Sequence, residues 1–142
     1  MAKEKFVLKF KEALKKENLK FTGQRFLVFK ALLKSDGHLE CEDIINIINK
    51  NGKKVSRATT YRTLDILEKY GLARKLVFDD GIARYENKLF TEHHDHMIDI
   101  ETNEIIEFVD DDIESIQNKI AKDHGYVIVK HVHQLFVKKI KN

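Results

Sequence analysis

Apolar side chains recur every three or four residues over roughly the first seventy positions, a spacing that predicts four amphipathic helices. We expect the first helix to end near Glu17. The second should begin after Thr22, whose hydroxyl can cap it, and end at Gly37, and the third should stop at residues 51–52. Ser56 can cap the fourth helix, four of whose side chains are predicted to face the core: Ala58, Tyr61, Leu64 and Leu67.

Two short β-prone runs follow the helices. They cover Ala73–Phe78 and Ile82–Glu86, and the sequence Asp-Asp-Gly between them is typical of a hairpin turn. Three helices with a shared core, a capped basic helix and a hairpin together describe a winged helix-turn-helix. We therefore predict a DNA-binding domain over residues 1–87, joined to the rest of the chain by a hinge at residues 88–92.

The second half of the chain alternates apolar and polar residues in a different way. The segments HHDHMIDI and EIIEF predict two paired strands that a Thr102-Asn103 turn connects. Acidic residues 110–112 should start a helix that ends at His124-Gly125, and YVIVKHVHQLFVKKI should form a closing strand. The predicted fold class is α+β, with the winged helix-turn-helix domain followed by a small α/β domain over residues 93–142.

Charge separates the two halves more clearly than composition does. Residues 1–87 hold 19 Lys and Arg against 12 Asp and Glu, a net charge of +7, whereas residues 88–142 hold 7 against 11, a net charge of −4. A basic half of this kind favours a polyanionic partner such as double-stranded DNA. Because the sequence contains neither a run of eighteen apolar residues nor a signal-peptide pattern, we expect a cytoplasmic protein without a membrane partner.

The start of the fourth helix carries side chains suited to DNA. It combines hydroxyl groups, cations and an aromatic ring within two turns: Ser56, Arg57, Thr59, Thr60, Tyr61 and Arg62. Such groups can contact phosphates and base edges, and a helix N-terminus offers free N–H groups to a phosphate. Lys20 and Arg25, near the start of the second helix, could reach the backbone or the minor groove. The alternative is a solvated basic face with Tyr61 half-buried in the core.

Three histidines and an aspartate stand side by side at positions 93–96 and indicate a metal site. If this segment is a strand, His93 and Asp95 project to one side and His94 and His96 to the other, so it can serve two separate sites. Further ligands would come from elsewhere in the chain: His38, Glu86, Glu107, Glu114 and His131. The alternative is a surface tract that binds metal adventitiously. Imidazole and carboxylate donors suit Fe(II), Mn(II), Zn(II) or Co(II).

Several segments together make the chain resemble the ferric uptake regulator family, a set of homodimeric metal-dependent transcription factors: LKFTGQR, GHLECEDI, SRATTYRTLDILEKYGL, ARYE, HHDHMIDIETNEIIEF and DDDIESIQ. The resemblance implies a regulatory site between the domains, formed by His38, Glu86, His94, His96 and Glu107. It implies a second site in the dimerisation domain, formed by His93, Asp95, Glu114 and His131. It also implies that Tyr61 contacts bases, Arg62 phosphate and Lys20 the minor groove of a palindromic operator.

Two departures from the family pattern refine this expectation. Asp99 and Thr102 stand where many members have the first CxxC pair, and Cys41 is the only cysteine, so a cysteine-ligated structural zinc and an intrachain disulfide are excluded. The TGQR sequence replaces the commoner T-x-P-R but keeps Arg25. The chain is similar to cysteine-free iron and manganese regulators of alphaproteobacteria, which implies Fe(II) or Mn(II) as corepressor in the control of metal-uptake genes.

Other interpretations stay open on the sequence. Zn(II) can occupy either site and substitute in vitro, and the chain could be a zinc-, peroxide- or haem-responsive member of the same superfamily. A different class of protein, a metalloenzyme that uses the same histidines and carboxylates with an open coordination position, is a weaker alternative. The winged helix has no role in such an enzyme, so we predict that the protein is not one.

Overall fold

The chain forms two compact units, Met1–Glu92 and His93–Asn142. The structure is a computed structural model that describes residues 2–88 and 95–141. The predicted hinge, residues 88–92, therefore lies almost entirely outside the described residues, as do His93 and His94. No described helix is long and apolar enough to cross a membrane.

Four helices form most of the first unit, and their apolar faces share one core. They are α1 (Ala2–Lys16), α2 (Gly23–Lys34), α3 (Cys41–Lys50) and α4 (Arg57–Lys69). The rings of Phe10 in α1 and Phe29 in α2 stack with their centroids 4.5 Å apart, and both side chains are buried. Ile44 of α3 and Leu64 of α4 are completely buried in the same cluster. Burial of this apolar surface is the main force that holds the helices together.

The predicted N-caps of α2 and α4 are present. The Thr22 hydroxyl accepts a hydrogen bond from the Arg25 amide at 3.3 Å, and the Ser56 hydroxyl accepts one from the Thr59 amide at 3.0 Å. The predicted end of α2 at Gly37 is wrong, because the helix ends at Lys34 and Ser35 is already extended.

The prediction for the buried face of α4 is wrong for two of its four residues. Leu64 and Leu67 are completely buried, but Ala58 is exposed and Tyr61 is 45% exposed. The core positions of the first turns are instead filled by Thr60 and Thr63, whose hydroxyls donate to the backbone carbonyls of residues 56 and 59 at 2.9 and 2.7 Å. A helical threonine can enter a core in this way, because a carbonyl one turn earlier accepts from its hydroxyl.

The predicted wing is an antiparallel hairpin. Strand β1 (Ala73–Val77) pairs with β2 (Ala83–Asn87), and Gly81 in the turn has a φ of +79°. That backbone conformation favours glycine. A short bridge between Leu39 and Tyr85 adds the segment before α3 to the other edge of β2. The helices and this hairpin form a winged helix-turn-helix, as predicted.

The described residues of the second unit, 95–141, form one small sheet and one helix. Strands β3 (Asp95–Asp99), β4 (Ile105–Phe108) and β5 (Gln134–Val137) form the sheet in the order β4-β3-β5, and helix α5 (Asp111–Asp123) connects β4 to β5. β3 pairs antiparallel with β4 and parallel with β5. The closing strand is shorter than predicted, because its pairing is confined to the four positions opposite His96–Asp99. The fold class is α+β, as the sequence predicts.

Candidate metal centres and nucleic-acid surface

The start of α4 presents most of the predicted DNA-binding side chains to solvent. Ser56, Arg57, Tyr61 and Arg62 are exposed and Thr59 is partly exposed. Thr60 is completely buried, so we remove it from the predicted contact surface. Arg57 forms an ion pair with Glu42 in the first turn of α3. The remaining residues give an exposed, hydroxyl-rich and cationic helix start.

Lys20 and Arg25 are joined to each other at the connection between α1 and α2. The Arg25 guanidinium donates to the Lys20 backbone carbonyl across 2.6 Å. This bond fixes the backbone that carries the exposed Lys20 side chain. Arg25 therefore supports the position of Lys20 as well as being a candidate contact itself.

Arg84 ties the wing to the helices of the first unit. Its guanidinium lies over the Phe78 ring, 3.7 Å from the centroid, and 2.9 Å from the Glu40 carboxylate that precedes α3. It also lies 3.3 Å from Asp80 in the hairpin turn. The Ile82 backbone amide and this guanidinium donate hydrogen bonds to Asp80 and lower the pKa of that carboxyl. The wing is thus held by a charge cluster that was not among the features predicted from the sequence.

In the first unit, His38 and Glu86 form the predicted imidazole–carboxylate pair. His38 Nε2 lies 3.0 Å from Glu86 Oε2, and the Glu86 side chain is only 4% exposed. The backbone places these residues together, since Leu39 and Tyr85, which are their chain neighbours, exchange two hydrogen bonds of 2.8 and 2.7 Å. Two of the predicted regulatory ligands are therefore adjacent within this unit.

Asn87 holds the segment that leads to His38 and was not predicted from the sequence. Its buried side-chain amide donates to the carbonyl of Leu32 at 2.9 Å and to that of Ser35 at 2.6 Å. These carbonyls lie at the C-terminus of α2, where a helix lacks internal donors. The only available signal was an amide next to a predicted ligand in the sequence ARYEN, which is too common a feature to identify such a role.

In the second unit, His96 and Glu107 stand directly opposite each other on β3 and β4. Opposed residues of an antiparallel pair project from the same face of the sheet. His96 is 5% exposed, whereas Glu107 is exposed. The sheet register therefore provides a second imidazole–carboxylate pair. His94, the remaining predicted regulatory ligand, lies outside the described residues.

A second candidate centre lies wholly inside the second unit and consists of Asp95, Glu114 and His131. His131 Nε2 is 3.0 Å from Asp95 Oδ1 and 3.5 Å from Glu114 Oε1, and one ligand atom from each residue lies within 4.8 Å of the other two. Asp95 is buried, and the other two are partly buried. One imidazole and two carboxylates form a donor set that fits a divalent ion such as Mn(II), Fe(II) or Zn(II). His93, predicted to join them, lies outside the described residues.

A winged helix with an exposed cationic helix start, together with clusters of imidazole and carboxylate donors, defines the class of metal-responsive transcription regulators. Comparison with known proteins agrees. The sequence model of the Ferric uptake regulator family matches residues 16–136, and the chain belongs to that family. Proteins of this family are transcription regulators and not enzymes, so the metalloenzyme alternative is excluded.

Individual relatives match over nearly the whole chain. The ferric uptake regulation protein of Pseudomonas putida is 38% identical over 129 residues, which cover 90% of this chain and 96% of the relative. Among solved structures, the ferric uptake regulator of Pseudomonas aeruginosa with manganese has a TM-score of 0.77 and 35% identity, covering 90% of this chain and 96% of that one. The Helicobacter pylori regulator, described as having three functional metal-binding sites, has a TM-score of 0.78 and 34% identity, with 96% and 90% coverage.

Proposed function

We propose that this protein is a metal-dependent repressor that binds palindromic operator DNA as a homodimer, with Fe(II) or Mn(II) as corepressor, and controls metal-uptake genes. The observation that carries the proposal is the His38–Glu86 pair, because it puts two metal-type ligands on the unit that carries the winged helix. A regulator whose ligands belong to its DNA-binding unit can couple metal occupancy to DNA binding. The same proposal places the protein in the cytoplasm.

The regulatory ion would be held by His38, Glu86, His94, His96 and Glu107, as the family resemblance implies. The pairs His38–Glu86 and His96–Glu107 belong to different units. An ion that takes ligands from both would favour the DNA-competent arrangement only if it binds that arrangement more tightly than the others. We therefore expect that loss of either pair removes the metal response.

DNA contact is assigned to the exposed start of α4 and to the α1–α2 connection. In this proposal Tyr61 meets base edges, Arg62 and Arg57 meet phosphates, and Lys20 enters the minor groove, with the wing on the flanking backbone. The net charge of +7 on residues 1–87 supports a phosphate-dominated interaction. The affinity should then fall steeply as the salt concentration rises.

The homodimer is assigned to the second unit, which exposes much apolar surface. None of the thirteen described residues of α5 is buried, and Ile116 and Ile120, one turn apart, are 59% and 55% exposed. Val127 and Val129 after this helix are 84% and 96% exposed. An apolar surface of this kind is typical of an interface.

An Ile120→Asp substitution should shift the sedimentation equilibrium toward the monomer, whereas the neighbouring Asn118→Asp control should leave it unchanged.

The Asp95, Glu114 and His131 cluster is proposed, with His93, as a second metal site that stabilises the dimerisation domain. It lies within one unit, so an ion there would reinforce that unit without linking it to the winged helix. Glu114→Gln should remove one equivalent of bound metal and lower the unfolding temperature of the metal-loaded protein. It should leave metal-dependent DNA binding measurable, since the regulatory ligands are unchanged.

The decisive experiment is an anaerobic DNA-binding titration of metal-stripped protein with Fe(II), Mn(II) and Zn(II), on a promoter fragment from its own genome. Glu86→Ala and His96→Ala, one from each pair, should abolish metal-dependent binding while leaving a folded dimer. Glu101→Ala, which removes an exposed carboxylate from the second unit, is the control and should bind as the wild type does. An unchanged metal response in both ligand variants would disprove the mechanism, and a response to Zn(II) alone would assign the zinc-sensing alternative.

A further inference from the structure

Both oxygens of the buried Glu86 carboxylate face a nitrogen of another side chain. Oε2 lies 3.0 Å from His38 Nε2, and Oε1 lies 3.6 Å from Arg74 Nη1. The side chains of Glu86 and Arg74 are 4% and 17% exposed, so this charge pair is largely shielded from water. A guanidinium stays charged at every physiological pH. The proposed metal ligand therefore has a permanent cation beside it.

The backbone, not a flexible surface chain, puts Arg74 in this position. Arg74 on β1 is directly opposite Glu86 in the β1–β2 register, so both side chains project from the same face of the hairpin. The next residue, Lys75, is opposite Tyr85, and its side chain is exposed on the other face. The chain thus offers two neighbouring cations on β1, of which only one faces the ligand.

We propose that Arg74 is a built-in competing cation that lowers the metal affinity of the site containing Glu86. This inference rests on the proposed function of Glu86 as a ligand. A divalent ion bound through Glu86 must either share the carboxylate with the guanidinium or displace it, and in both cases the positive charges repel each other. The arginine would set the concentration at which the sensor responds, so that only a raised level of free metal ion fills the site.

Arg74 could instead support metal binding, and its removal would then change the metal affinity in the opposite direction. If Arg74 acts only by holding Glu86 in the right orientation, its removal will weaken metal binding. If it competes, its removal will tighten metal binding. At the effective dielectric constants that apply inside proteins, repulsion between a unit charge and a divalent ion changes affinity by roughly a factor of ten or more. The two roles are therefore separable by a titration.

The test is a Mn(II) titration of the full chain without DNA, with free Mn(II) measured by electron paramagnetic resonance. All variants carry His131→Ala, which disables the second centre so that the titration reports the site of Glu86. Arg74→Met and Arg74→Gln remove the charge, Arg74→Lys keeps it, and Lys75→Met removes the neighbouring charge on the other face. We expect about tenfold tighter Mn(II) binding in both neutral Arg74 variants and less than about a threefold change in the other two.

The outcomes distinguish a failure of this inference from a failure of the proposed function. Glu86→Gln in the same background should weaken Mn(II) binding, and if it does not, the proposed ligand role itself has failed. If Glu86→Gln weakens binding but both neutral Arg74 variants bind Mn(II) as before or more weakly, competition is disproved while the metal site stands. Equal tightening in Arg74→Met and Lys75→Met would assign the effect to overall charge and also overturn the inference. Far-UV circular dichroism checks that each variant is folded.

Discussion

Replacing Asn87 by alanine tests whether one buried amide holds the segment that carries His38. Asn87 is 4% exposed, and its side-chain amide donates to the backbone carbonyls of Leu32 and Ser35 and, at the longer distance of 3.5 Å, to that of Leu33. The Leu32 carbonyl also accepts from the Ser35 amide at 3.2 Å, so it keeps a partner in the variant. The loss therefore falls mainly on the Ser35 carbonyl, whose 2.6 Å bond to Asn87 is the shortest of the three.

The expected cost follows from this arrangement. The Ser35 carbonyl is only partly buried, so the cost should fall near the lower end of the roughly 1–3 kcal/mol for an acceptor left without its donor; we expect Asn87→Ala to lower the free energy of unfolding of the first unit by about 1 kcal/mol. In a unit of this size that corresponds to an unfolding temperature lower by about 5 °C. Asn87→Asp should cost more, because it keeps the shape but turns an acceptor toward the carbonyls.

Urea unfolding, monitored by far-UV circular dichroism, measures the loss of stability. An Mn(II) titration measures the effect on metal binding. Because the His38 segment would have to be ordered by the ion, Mn(II) binding should weaken by up to about tenfold. Asn46→Ala, which removes an exposed amide from α3, is the control and should change stability by less than about 0.5 kcal/mol. If Asn87→Ala were as mild as this control, the amide would not be holding the segment.

Three further changes test the wing, the core and the DNA surface. Gly81→Ala should lower the free energy of unfolding by about 1 kcal/mol, because φ is +79° at this position, although no neighbouring atom crowds a new Cβ. Gly23→Ala is the control, since this position is also uncrowded but has no positive φ, and it should be neutral or stabilising in thermal unfolding. Burial raises the pKa of Tyr85 to about 12 from 10, so the folded state favours the neutral phenol, and stability should decline as pH rises from 10 to 12. Urea midpoints measured at a series of pH values check this: Tyr85→Phe should remove the part of the decline that ionisation of Tyr85 causes. An unaltered decline in this variant would contradict the assigned role of Tyr85. Arg62→Ala should weaken DNA binding and reduce the slope of log affinity against log salt by about one, and an unchanged slope would remove Arg62 from the phosphate contacts.

Local patterns were sufficient to predict the elements of this fold. Helical spacing predicted four helices in the first unit, capping residues fixed the starts of α2 and α4, and the Asp-Asp-Gly turn located the hairpin. These features depend on residues close together in the chain, which is why single-sequence reasoning finds them. The end of α2 was misplaced, because it is set in part by Asn87, more than fifty residues away.

The buried face of α4 was mispredicted for a related reason. Tyr61 has a large apolar ring but is exposed, whereas Thr60 has a polar hydroxyl but is completely buried. Hydrophobicity alone cannot show that a threonine hydroxyl is satisfied by its own helix. The family resemblance implies that His131 and Asp95 share a site, but the 3.0 Å contact between them depends on the parallel register of β5 against β3, which the sequence does not specify.

Three consecutive residues of β2 explain why a change at the proposed ligand would reach the wing. Tyr85 and Asn87 lie on one face of the strand, where Tyr85 packs in the helical core and Asn87 binds the end of α2. Glu86 lies on the other face beside His38 and Arg74. All three are buried, so the strand has little freedom to move independently at the position of the ligand. A force on the Glu86 carboxylate would therefore be transmitted to the hairpin and to the segment before α3, and would not be absorbed by a local rearrangement.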